Sequence, residues 1–105
     1  MEADMTVKSM CFFDCQGNLV YKGKLSALPL NENAVIQRSI ELFNDDEPCV
    51  IHKSFVIRNI LDTIGAYFGE YLDNNIREMN WDDVSPNIRK YLDLPSHISK
   101  VILET

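Results

Sequence analysis

The stretch 54–72 limits most strongly what this chain can fold into, because it has the apolar period of one long helix. At about 100° per residue, its large apolar side chains gather on one broad face. These are Ile57, Ile60, Leu61, Ile64, Tyr67, Phe68, Tyr71 and Leu72. The opposite face carries Arg58, Asn59, Asp62, Thr63, Glu70 and Asp73. Such a stripe predicts a helix about 28 Å long that lies on a core, with Ser54 as its N-cap.

A β-hairpin is predicted before this helix. Residues 5–13 and 19–25 have the composition of strands, and the connection 14–18 between them is rich in turn formers. Asp14 can cap the turn, and Gly17 can take a positive φ at little cost. Met10 and Phe12 fall on the second face of the ribbon, so we expect both of its faces to be covered.

The remaining elements are shorter. Asn31 is the predicted N-cap of a helix over 31–44, whose apolar face comprises Val35, Ile36, Ser39, Ile40, Leu42 and Phe43. The apolar run 49–52 is predicted as a strand, 76–83 as a helical turn or irregular loop, 86–92 as a helix and 100–104 as a final strand. These elements predict an α+β fold, in which the hairpin and one or two further strands form a small sheet with packed helices. The alternative is a mainly helical bundle with an appended hairpin.

Composition bounds the function. The 105 residues suffice for a single domain, 1–105, and the net charge of −6 argues against a nucleic-acid binder. Charged residues interrupt 54–72, so we expect no membrane span. Residues 1–6 lack the pattern of a secretory signal, so the cytosol is the expected location. The three cysteines (Cys11, Cys15 and Cys49) are then expected to be reduced.

Two groups of Cys and His residues could carry chemistry, and each also has an ordinary structural interpretation. Cys11 and Cys15, with Cys49, His52 and His97, could supply metal ligands, but their spacing is not that of a structural zinc site. Cys49 with His52 or His97 could form a nucleophile pair, but no surrounding motif supports it. The sequence therefore predicts no catalytic residue, no metal site and no cofactor.

The acidic residues are the most informative feature. Three of them form the acidic loop, which comprises Asp45, Asp46 and Glu47. The others that we assign to a partner-binding surface are Glu70, Asp73, Asp82 and Asp83, with Trp81 as an aromatic anchor beside them. Aromatic side chains inside a charged rim are typical of protein-binding hot spots, provided that these acids converge. Otherwise they are scattered solvated acids, with Trp81 in the core.

By its size, acidity, reduced cysteines and absence of a catalytic signature, the chain resembles bacterial immunity proteins of contact-dependent growth inhibition systems and of colicin-type nucleases. Composition carries the resemblance and no motif does, so it transfers no site residues. It implies a protein that is not an enzyme and that binds and neutralises a cognate basic toxin, for example a nuclease. The alternatives are a small Cys/His-dependent enzyme or metal-binding regulator, and an oligomeric structural subunit.

Overall fold

The computed structural model describes residues 6–95 and 97–105, in which helices pack on a four-stranded antiparallel sheet. Its main elements are β1 (Ser9–Phe13), β2 (Leu19–Lys24), α1 (Glu32–Phe43), α2 (Val50–Asp73), β3 (Glu78–Asn80), α3 (Pro86–Arg89) and β4 (Lys100–Glu104). The strand order is β2-β1-β4-β3. The predicted α+β fold is confirmed, and the helical-bundle alternative is wrong.

The N-terminal hairpin forms as predicted. Asp14 Oδ1 accepts hydrogen bonds from the backbone N–H groups of Gln16 and Asn18, each at 2.9 Å. Gly17 has a φ of 83°, the region that glycine enters at least cost. Strand β1 begins at Ser9, later than predicted, and residue 5 of the predicted strand lies outside the described residues.

The core lies between the sheet and α2, which is therefore the element that covers the second face of the hairpin. The sheet contributes Met10, Phe12, Met79, Val101 and Leu103, and α2 contributes Val56, Ile60, Ile64, Phe68 and Leu72. The α2 side chains recur strictly every four residues, so they form one row on the helix. The predicted face is confirmed in outline, although it omitted Val56. Four of its members lie half-buried beside the row: Ile57, Leu61, Tyr67 and Tyr71.

The predicted strand 49–52 is wrong. Cys49 is the N-cap of α2, and residues 50–52 form the first turn of that helix, so Ser54 is not the N-cap. The acids that precede this turn stabilise the start of a helix, because negative charge is favourable near the positive end of the helix dipole. A prediction from the apolar residues alone does not include this effect. The sheet is completed instead by β3, within the stretch 76–83 that was predicted as a helical turn or irregular loop; the helical turn is confirmed only at Trp81–Asp83, which form one turn of 3-10 helix. Only Met79 of the three residues of β3 is buried, too short a pattern to read from sequence.

The shorter helices are confirmed with changes. Asn31 caps α1 by accepting a hydrogen bond from the backbone N–H of Ala34 at 3.1 Å. Only Val35 and Ser39 of the predicted α1 face are buried, because α1 packs on α2 through a narrow stripe, and Ile40, Leu42 and Phe43 remain exposed. Helix α3 ends at Arg89, earlier than predicted, and β4 has its predicted bounds.

Within 6–95 and 97–105, no helix is long and apolar enough to cross a bilayer.

Candidate functional site

The predicted acids occupy two regions at opposite ends of α2. The acidic loop lies before the first residue of α2, and the distal acids lie at or beyond its last turn; these are Glu70, Asp73, Asp82 and Asp83. A helix of 24 residues is about 36 Å long. The acids therefore do not converge into one patch, and each group needs its own description.

The acidic loop is held to both helices by one set of side-chain contacts. Asp45 Oδ2 lies 3.2 Å from Nδ1 of His52, a residue of the first turn of α2. The imidazole of His52 lies parallel to the ring of Phe43, at the end of α1, with centroids 4.1 Å apart. Asn44, which takes the left-handed conformation with a φ of 55°, turns the chain from α1 into the loop. The loop thus has a fixed geometry on the ends of two helices.

Large apolar side chains are exposed beside this loop. The exposed fractions are 36% for Phe43, 83% for Val50, 78% for Ile51 and 54% for Phe55. The Phe43 and Phe55 rings meet edge to face with centroids 5.5 Å apart, and Ile51 lies one helical turn before Phe55. We call this cluster the apolar tip: Phe43, Val50, Ile51 and Phe55. Contiguous exposed apolar side chains rimmed by charge are characteristic of interaction sites.

Sequence patterns did not predict the apolar tip, because they placed three of its members in the core. Val50 and Ile51 were assigned to a strand, and Phe43 was assigned to the buried face of α1. A signal was present in the spacing of the core residues. Extending the row of buried α2 side chains back by four residues from Val56 leads to His52, which leaves Val50 and Ile51 off that row.

Two of the distal acids, Glu70 and Asp83, lie near a pair of tyrosines. The Tyr67 hydroxyl accepts a hydrogen bond from the backbone N–H of Ser85 at 2.9 Å and lies 3.1 Å from the Tyr71 hydroxyl. The hydrogen bond with Tyr67, followed by burial and by the charge of Asp83, raises the pKa of Tyr71 to about 12. These contacts fasten the segment before α3 to the C-terminal half of α2, which gives the region an evident structural role.

Trp81 belongs largely to the core. It is half-buried, and its ring stands perpendicular to that of Phe12 with centroids 5.6 Å apart. Asp82 and Asp83 beside it are exposed. Much of the Trp81 surface is therefore already in contact with the sheet, and its role as a partner-binding anchor stays a prediction.

The cysteines and histidines lie in separate places. Cys15 is exposed in the hairpin turn, Cys49 is exposed at the start of α2, and Cys11 is buried in β1. Burial, followed by the charge of Glu104, raises the pKa of the Cys11 thiol. In the described part of the chain, no three His, Cys, Asp or Glu side chains are grouped so as to hold a metal ion.

Comparison with known protein families, characterised proteins and solved structures found no match.

Proposed function

We propose that this protein is a small protein-binding module whose contact surface is the apolar tip together with the acidic loop. The observation that carries the proposal is the exposure of four large apolar side chains on one end of the helix pair, directly beside three acids. Such side chains supply the desolvated centre of an interface, and the acids supply its charged rim.

The proposed partner is a basic protein with an apolar recess. The acidic loop would attract basic side chains during the approach, and Val50, Ile51 and Phe55 would enter the recess. A second copy of this chain is a poorer partner for the same surface, because it would bring two acidic loops together within a protein of net charge −6. Within the class that the sequence resembles, the partner would be a cognate toxin, for example a nuclease with a positive cleft.

The distal acids have a lesser part in this proposal. A standard interface covers about 800 Å² on each partner, a patch roughly 30 Å across. Charges are screened over about 8 Å at physiological ionic strength. A partner seated on the apolar tip would therefore leave most of the distal acids, about a helix length away, outside the contact.

The test is capture of a partner by matched variants. Protein captured from lysate of the source cells by the wild type should be lost with Val50→Ser/Ile51→Ser. It should be retained by Leu19→Ser/Ile76→Ser, which removes exposed apolar side chains from other parts of the surface. Equal retention by all three proteins, or equal loss by both variants, would contradict the proposal.

The role of the acidic loop is tested separately by association kinetics. Asp46→Asn/Glu47→Gln should slow association with the captured partner and reduce its dependence on salt, with little change in dissociation. Asp45 is kept because it contacts His52. The matched control is Asp73→Asn/Asp82→Asn, which makes the same change of charge at the far end of α2 and should alter association less.

A further inference from the structure

A groove of about 590 Å³ runs between the hairpin and residues 54–62 of α2, and it begins next to the apolar tip, which includes Phe55. Its volume lies within the range of roughly 300–1,000 Å³ that is usual for ligand sites. The apolar side chains that line it include Leu25, Ile57 and Leu61. None of the lining residues that the structure describes is aromatic. The groove therefore offers an aliphatic floor without a ring on which a flat base could stack.

The groove is built on hydrogen-bonded backbone of α2 and of the hairpin. Ile57 and Leu61 lie one turn apart on α2, where both are half-buried. Leu25 follows β2, and its backbone N–H donates to the carbonyl oxygen of Lys8 at 2.9 Å. The Leu25 side chain reaches Gly65, where an added Cβ would lie 3.0 Å from Leu25 Cδ2. This close approach fixes the floor of the groove against the helix.

Three cations lie at the same groove in an otherwise acidic protein. Lys8, Lys24 and Arg58 are among its lining residues, which include one acid, Asp62. Within residues 6–95 and 97–105, none of the three cations has an ion-pair partner within 4.0 Å. By contrast, Lys22 and Lys100 on the sheet pair with glutamates. Among the described residues, these cations therefore have no ion pair that an incoming anion would have to displace.

We propose that this groove binds a small amphipathic anion, a carboxylate carrying a linear aliphatic chain. The carboxylate would lie among Lys8, Lys24 and Arg58, because hydrogen bonds between charged groups are stronger than those between neutral ones. The aliphatic chain would lie on Leu25, Ile57 and Leu61 and lose its contact with water. The groove shares no lining residue with the apolar tip or the acidic loop, so this proposal does not rest on the proposed protein-binding function.

The experiment titrates the protein with decanoate, using decanol, decylammonium and acetate as controls, and follows backbone amide NMR shifts. Decanoate should bind saturably at one site and shift the amides around Leu25 and Leu61, with a Kd below about 1 mM. Decanol and acetate should each bind at least about tenfold more weakly, because each lacks one half of the recognised chemistry. Decylammonium should not bind, because the cations repel it.

Matched variants assign the binding to the groove. Lys8→Gln/Lys24→Gln/Arg58→Gln should weaken decanoate binding at least about tenfold, whereas Arg77→Gln/Lys90→Gln/Lys100→Gln, with the same change of net charge, should leave Kd within about twofold. Circular dichroism checks that both variants are folded. Three outcomes would overturn the proposal: no saturable decanoate binding, equal binding of decanol or acetate, or equal weakening by the two variants.

Discussion

The imidazole ring of His52 lies parallel to the phenyl ring of Phe43, with centroids 4.1 Å apart, and its Nδ1 atom lies 3.2 Å from Asp45 Oδ2. One side chain of α2 thereby contacts both the end of α1 and the acidic loop. This arrangement fixes the apolar tip before any partner arrives, and a preorganised surface loses less conformational entropy on binding. The protein-binding proposal depends on this geometry.

The core row of α2 makes the first prediction. Ile64 is fully buried, so Ile64→Ala should lower the free energy of unfolding by about 2–5 kcal/mol through lost burial and a cavity. Asp62→Ala, on the exposed side of the same helix, should change it by less than about 0.5 kcal/mol. Urea melts compare the two variants. Equal stabilities of the two variants would contradict the burial of the Ile64 face of α2 against the sheet.

The two glycines of α2 should respond differently to alanine. Gly69→Ala should raise the free energy of unfolding by about 0.5–1 kcal/mol, since alanine is the better helix former and, beyond the local helix backbone, no described atom lies within 4 Å of the added Cβ. Gly65→Ala should gain less, because its Cβ would press on Leu25. Thermal unfolding of both variants is the measurement, and a larger gain for Gly65→Ala would contradict the close approach of Leu25.

The hairpin turn should show a pH dependence on its acid side. Hydrogen bonds from the backbone of Asn18, and also from Gln16, lower the pKa of Asp14 below its ordinary value of 3.8. A lowered folded-state pKa gives stability that is present above pH 3.8 and is lost as the pH falls through the folded-state value. Asp14→Ala should therefore be less stable than the wild type at pH 7.

The difference in free energy of unfolding between the wild type and Asp14→Ala should narrow as the pH falls below 3.8. Asp14→Asn, which keeps an acceptor oxygen but does not titrate, serves as the control. Chemical melts at a series of pH values follow this difference. A difference that is constant across the acid range would contradict the assigned hydrogen bonds.

The cysteines should fall into two classes of reactivity. Cys15 and Cys49 are exposed, whereas Cys11 is buried and its pKa is raised, so less of it is thiolate. Without reductant, alkylation of the folded protein followed by mass spectrometry should show two fast modifications and one slow one. Unfolding should make all three fast. A mass two units lower before alkylation would reveal a disulfide.

Sequence patterns predicted those parts of the fold that local chemistry determines. The turn at Asp14 and Gly17, the cap at Asn31 and the long apolar period of α2 each depend on neighbouring residues. β3 depends instead on pairing with β4, a partner that lies some twenty residues away, and its own three residues carry little signal.

The candidate site was harder to predict for a related reason. An apolar run such as Val50–Ile51 has the same composition whether it is buried in a sheet or exposed on a helix. Only the tertiary position of α2 distinguishes the two cases. The acids were recognised from sequence, but their division between the two ends of α2 follows from the length of that helix.

The most direct test of the protein-binding proposal uses Cys49, which is exposed next to Val50 at the apolar tip. Thiol labelling is followed in the free protein and in its complex with the captured partner, with Cys15 in the distant hairpin turn as internal control. If the apolar tip is the contact surface, the labelling rate of Cys49 should fall at least about tenfold in the complex, because a covered thiol is shielded from reagent, while that of Cys15 stays unchanged. An unchanged rate at Cys49 in a fully formed complex would contradict the proposal.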